Sequence, residues 1–175
     1  VSRNVLDVQS DPAADGLYVP GATEDGSVRR VDVTSARDAL NGYQKGRCFY
    51  CYDRISVVRN DAALADVDHF FPWTLEERGV AANLNGVWNL VLACNACNRG
   101  EHGKHARVPS LRLLYRLRRR NDYLIESHHP LRETLVRQTG ASRRRRHDFL
   151  QRQYELARTT LIHTWEPPAR GPADF

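Results

Sequence analysis

The stretch Cys94-Asn95-Ala96-Cys97-Asn98 decides the fold, because it pairs with an earlier one, Cys48-Phe49-Tyr50-Cys51. These two C-x-x-C pairs use all four cysteines of the chain. Two residues between cysteines make a tight knuckle that turns two thiolates toward one ion, and two such knuckles hold a tetrahedral zinc. Two disulfides, or four unrelated buried thiols, are the other readings. A disulfide framework suits a short secreted chain, and the opening residues, Val1 to Gln9, are too polar for a signal peptide. The expectation is one structural Zn2+ on Cys48, Cys51, Cys94 and Cys97.

A second constellation lies between and just after the knuckles. Val67-Asp68-His69-Phe70-Phe71-Pro72 contains an Asp-His step, Asn89 opens Asn89-Leu90-Val91-Leu92-Ala93-Cys94, and Asn98 follows Cys97. As a set, these residues resemble the HNH nucleases, a branch of the ββα-metal nucleases whose zinc-bearing members share the flanking C-x-x-C pairs. The resemblance covers residues 45 to 107. One departure is that Asn98 stands where many relatives carry the last histidine of the name; asparagine also occurs there.

The resemblance implies an α+β fold: a zinc-stapled ββα-metal core with an N-terminal helix and an α-helical C-terminal appendage. It implies a metal-dependent endonuclease that hydrolyses DNA, with RNA the other polyanion that fits. His69 takes the role of general base and Asn89 orients that histidine or its loop. Asp68 and Asn98 hold a catalytic Mg2+ or Mn2+. The residue types suit the chemistry. An imidazole titrating near pH 6.5 can take a proton from water at neutral pH. A carboxylate is a hard oxygen ligand. Adjacent strand residues point to opposite sides, so Asp68 and His69 serve one site only if the backbone bends there. His102, four residues after Asn98, is either a further ligand, as in some relatives, or a surface histidine near the phosphate path. His105 is read as a surface residue. A non-catalytic zinc-knuckle module that binds nucleic acid is the alternative function.

Composition sets looser bounds. The 175 residues are 41% apolar, enough for one domain or a domain with an appendage, and no apolar run reaches bilayer length. No membrane partner is expected, and a leaderless chain is expected in the cytoplasm. The net charge of +5 comes almost wholly from arginine, Lys45 and Lys104 being the two lysines; it fits a polyanionic partner, or simply a solvated surface. There is no methionine, so a longer protein is expected, with an upstream domain or partner subunit, of the kind used in restriction or phage defence.

Residues 1–30 carry Asp11-Pro12, Pro20-Gly21 and scattered glycines with little periodicity and read as an irregular segment or linker. Residues 31–109 read as the core. Its first helix starts at Thr34 or Ser35, with Ser35 as cap and Ala39, Leu40 and Tyr43 on one face. Short strands follow at 55–58 and 65–70, a helical turn at 75–78, a returning strand at 88–93 and a helix from Cys94–Asn98 to about Gly103. Residues 110–175 read as helical, with Ser110 and Ser142 as caps, Pro130 at a helix start, Gly140 as a stop and Pro167-Pro168 closing the last helix.

Basic residues are weighed by position. Arg99 and Lys104 flank the second constellation and are candidates for phosphate contact. Arg143, Arg144, Arg145 and Arg146 cover every face of a helix start, where cations oppose the helix dipole; they read as a phosphate clamp. Arg118-Arg119-Arg120 sits near a helix C-terminus, where cations are favourable anyway, and reads as structural. His128-His129 reads as a buried or capping pair.

Overall fold

The computed structural model describes residues 9–11, 16–22, 28–81 and 83–168, with side chains from Arg37 onward. It is a mixed helix and small-sheet fold. The N-terminal part departs from the irregular segment expected. β1 (Gln9–Asp11), β2 (Gly16–Ala22) and β3 (Val28–Ser35) form an antiparallel three-stranded sheet. Their glycines and prolines sit within or beside paired strands, so turn residues hid the period-2 signal. α1 (Ala36–Gln44) follows directly and buries Leu40 and Tyr43 as the stripe predicts. The Ser35 side chain, expected to cap it, lies outside the described side chains.

Gln44 ends α1 with its own side chain spliced into the next sheet. Its amide donates to the Leu92 and Arg47 carbonyls and accepts from the Leu92 N–H, all at 2.8 Å. Gly46 turns the chain at φ 74°, in the left-handed region that favours glycine, and delivers Cys48. The strand expected at 55–58 reduces to one isolated bridge, Ser56 with Leu64, and Arg54 just before it bridges to Arg47.

β4 (Asp66–His69) pairs antiparallel with β5 (Leu90–Ala93), placing Asp68 opposite Val91 and His69 opposite Leu90. α2 (Thr74–Glu77) and a 3-10 turn (Val87–Asn89) lie between them. β5 is buried throughout, so it reads as an unbroken apolar run. α3 (Asn95–Arg99) then starts from Cys94. It stops four residues short of the expected Gly103. The carbonyls of Cys97 and Asn98 accept from the N–H groups of Lys104 and His105, at 2.6 and 2.9 Å. The chain therefore doubles back, and the amides of Glu101 and His102 do not continue the helix.

Residues 110–165 share one hydrophobic cluster with the hairpin. α4 (Leu111–Glu126) is one continuous helix. It buries Leu113, Leu117 and Leu124, along with Arg116 and Arg120. The Arg116 guanidinium donates to the carbonyls of Phe49 and Tyr50 in the first knuckle and lies 4.0 Å from the Tyr52 ring centroid. Arg120 and Asn121 reach the Trp88 carbonyl, both at 3.2 Å. Burial without a carboxylate partner pushes the Arg120 guanidinium down to about 10. α5 (Arg132–Thr139) stops at Gly140, φ 127°. The Leu131 N–H donates to His129 Nδ1 just ahead of the helix, while His128 is exposed and the N-cap, Leu131, makes no side-chain cap bond, so the expected buried or capping pair reduces to this one contact of His129. α6 (Arg143–Thr160) is capped by the Ser142 hydroxyl, which accepts from the Arg145 N–H. Its Phe149 and Tyr154 pack on Trp88 and Phe71, with ring centroids 4.8 and 6.5 Å apart.

The last helix ends before the expected Pro167-Pro168. β7 (Thr164–Trp165) instead runs parallel to β6 (Val108–Pro109). No helix among the described residues is long and apolar enough to cross a membrane.

Candidate metal centre and histidine site

The first knuckle is fixed by the Cys48 N–H donating to Asp53 and the Tyr52 N–H to Cys48, the latter with Tyr52 in the left-handed region. The second is the start of α3, where Cys94 is the N-cap and Cys97 lies one turn in. The Phe49 N–H donates to the Leu92 carbonyl at 2.9 Å and holds the two knuckles face to face. All four Sγ atoms fall within 4.8 Å of one another. Cys51 and Cys94 are 3.8 Å apart. Two thiolates about 2.3 Å from a tetrahedral ion are separated by about 3.8 Å, whereas a disulfide needs about 2.05 Å. Cys48 Sγ also accepts the backbone N–H groups of Tyr50 and Cys94, at 3.4 and 3.3 Å, which favours a thiolate there. Hydrogen bonds among the four split them: Cys48 and Cys94 are pushed down, Cys51 and Cys97 up. The four cysteines are placed to hold one metal ion such as zinc. Among the described residues they are the one group of three or more His, Cys, Asp or Glu donors so gathered.

His69 lies at the end of β4, half-buried. Its Nε2 sits 2.8 Å from Asn85 Oδ1. An amide oxygen accepts, so Nε2 carries the proton and Nδ1 keeps its lone pair. The Trp73 ring, 37% exposed, lies 5.9 Å away by centroids. The loop after His69 is pinned by Asn89, fully buried. Its amide donates to the Phe71 and Leu84 carbonyls and accepts from the Phe71 N–H, at 2.8 to 3.0 Å. Asn89 thus acts on the loop, not on the ring. Asn85, which holds the ring, escapes a reading of the sequence because a loop asparagine beside glycine reads as turn chemistry.

The carboxylate side departs from the expected ligand set. Asp66 and Asp68 share the strand face opposite His69, by alternation. Asp68 is buried with both oxygens engaged. The Tyr50 hydroxyl donates to Oδ2 at 2.6 Å, and the Lys104 ammonium lies 3.3 Å from Oδ1. Burial raises its carboxyl above the usual range, with Lys104 and Tyr50 opposing. Asn98 donates to Asp66, not Asp68, at 3.0 Å. His102 lies beyond the end of α3, exposed, so it does not share a helix face with Asn98. Asp68, Asn98 and His102 therefore do not converge on an ion in this arrangement, and a cation bound by Asp68 would have to displace the Lys104 ammonium.

The basic residues divide in the same way. Lys104, a candidate for phosphate contact, is instead 1% exposed and donates to the carbonyls of His69 and His105. Arg146 is buried against Asp122 at 2.8 Å. Arg143 is held by Glu126, and Arg144 lies 3.9 Å from Asp148. Arg145 is exposed, as is Arg99, which pairs with Asp66 at 3.1 Å. The four-arginine run is thus partly structural, because a helix start packed on α4 must turn one of every four side chains inward.

No family model, curated protein or solved structure matches this chain.

Proposed function

We propose that this chain is an HNH-type endonuclease that hydrolyses DNA phosphodiester bonds, with zinc in the four-thiol site. The observation that carries the reading is His69: an imidazole at a strand end, beside an exposed tryptophan, with one nitrogen held by an amide and the other free to accept. His69 Nδ1 takes a proton from water, the resulting hydroxide attacks phosphorus, and one P–O ester bond breaks with its electron pair leaving on oxygen. Lys104 and Asn89 support this by fixing the His69 carbonyl and the Phe71 backbone that follows it. The family it resembles uses a divalent cation at phosphorus, and Mg2+ or Mn2+ is proposed on that ground alone.

The test is nicking of supercoiled plasmid with Mg2+ or Mn2+. His69→Ala is expected to lower the rate by about 10²–10⁴. Cleavage that persists in that variant removes His69 as the base. No cleavage by either protein, with DNA still bound, supports the alternative, a zinc-knuckle binding module, which the closed Asp68–Lys104 pair also favours. Asn85→Ala is expected to give a smaller loss, about tenfold, since it frees the tautomer without removing the base. A rate equal to wild type shows that Asn85 does not set the proton position.

A further inference from the structure

A cavity of 450 Å³ opens between the end of α1, the middle of α4 and the start of α6. Its volume is that of a small-molecule site, about 300–1,000 Å³. We infer that it binds an unpaired nucleotide, an aromatic base with its phosphate. Tyr115, Arg119 and Tyr123 follow one another at four-residue steps along α4, so ring, cation and ring stand on one face about 6 Å apart. Both rings are widely exposed, Tyr115 at 59% and Tyr123 at 49%. Tyr123 is backed by the buried Tyr43 ring, centroids 5.2 Å apart, which stiffens it as a platform.

The charges favour a phosphate. Arg118 lies near Asp122 and Arg143 is held by Glu126, so both acidic groups of the cavity are already engaged. Among the described residues, Lys45 and Arg119, both exposed, have no carboxylate partner. A neutral aromatic ligand would leave those two cations idle, and an acidic peptide without rings would leave the tyrosines idle. Alternating stacking surface and positive charge is how single-stranded nucleic acid is held without sequence choice. The cavity shares no residue with the His69 site, and its role stands whether or not His69 hydrolyses anything.

Binding is measured on the full chain carrying His69→Ala, so that nothing is cut. The probes are a fluorescein-labelled twelve-residue oligodeoxythymidylate, by anisotropy, and adenosine 5′-monophosphate, by calorimetry. Tyr115→Leu and Tyr123→Leu are each expected to loosen the oligonucleotide about tenfold, and Arg119→Gln by a similar factor. Arg152→Gln, an exposed arginine outside the cavity, controls for net charge and should change binding less than about twofold. Both tyrosines are exposed, so circular dichroism should show unchanged folds. Binding of both probes identifies a free nucleotide as sufficient; binding of the oligonucleotide alone identifies a strand. Binding of neither probe, or losses in the tyrosine variants no larger than in Arg152→Gln, overturns the inference.

Discussion

Removing the metal ion from Cys48, Cys51, Cys94 and Cys97 is expected to unfold the hairpin together with the helices docked on it. Structural zinc contributes about 10–16 kcal/mol in small zinc domains, and a folded domain of this size has a net stability of about 5–15 kcal/mol. The ion's contribution is therefore comparable to the whole margin. Among the described residues, the two knuckles are otherwise joined by one backbone bond, Phe49 to Leu92, and one N–H···S contact, Cys94 to Cys48. Without the ion, four thiols that must give up protons to bind it are left side by side, three of them buried and Cys94 half-buried. The loss travels outward because Arg116 of α4 is anchored on the carbonyls of Phe49 and Tyr50. Metal analysis should find one ion per chain. Chelation, or Cys97→Ser, should abolish the cooperative thermal transition seen by far-ultraviolet circular dichroism. An apoprotein that melts within a few degrees of the metal-bound form would show that the core stands without the ion. Two disulfides found by mass spectrometry under non-reducing conditions would remove the site altogether.

The second large effect concerns the buried ion pair. Lys104→Met leaves the Asp68 carboxylate in the interior with the Tyr50 hydroxyl as its remaining donor. Breaking one partner of a buried pair costs about 3–5 kcal/mol. The cost should depend on pH with a definite sign. Burial already holds the Asp68 carboxyl above the usual range, and Lys104 opposes that rise. Without the ammonium the carboxyl moves higher still. A carboxyl raised on folding destabilises the fold at pH above its folded value, and the penalty fades as pH falls through that value toward the unfolded one. The gap between wild type and Lys104→Met is therefore largest near pH 7 and should shrink by pH 5. Urea melts at the two pH values measure it. Adding Asp68→Asn to the variant should recover more than half of the loss at pH 7. Equal gaps at both pH values, or no recovery, would mean that Asp68 is not the charge being exposed.

The sequence carried the parts of the fold that depend on local chemistry. The paired C-x-x-C spacing foretold the four gathered thiols, the Ser142 hydroxyl caps its helix, and Gly140 stops one with a positive φ. What it hid depends on partners distant in the chain. A lone lysine after a glycine reads as surface, and only the fold reveals Lys104 reaching a carboxylate 36 positions earlier. β6 and β7 are two residues each, too short for any period to register. α3 ends early because the chain doubles back to satisfy its carbonyls, a choice no propensity encodes. The Asp-His step was legible as a pair, and strand alternation already warned that its two side chains part. The identity of the group that Asp68 meets was not legible.

The Trp165 indole N–H donates to the His102 carbonyl at 2.8 Å, across 63 positions of chain. Its ring stands edge-on to Tyr50, the donor to Asp68. The loop between α3 and β6 is therefore fastened by a residue made long after it. At a synthesis rate of about 5–20 residues per second, the ribosome needs about 3–13 seconds more to supply that clasp. During that interval the nascent chain carries its thiols and its imidazole but lacks the tryptophan that secures the loop beside them. Maturation of the centre is thus ordered in time by translation, with assembly completed from the downstream side.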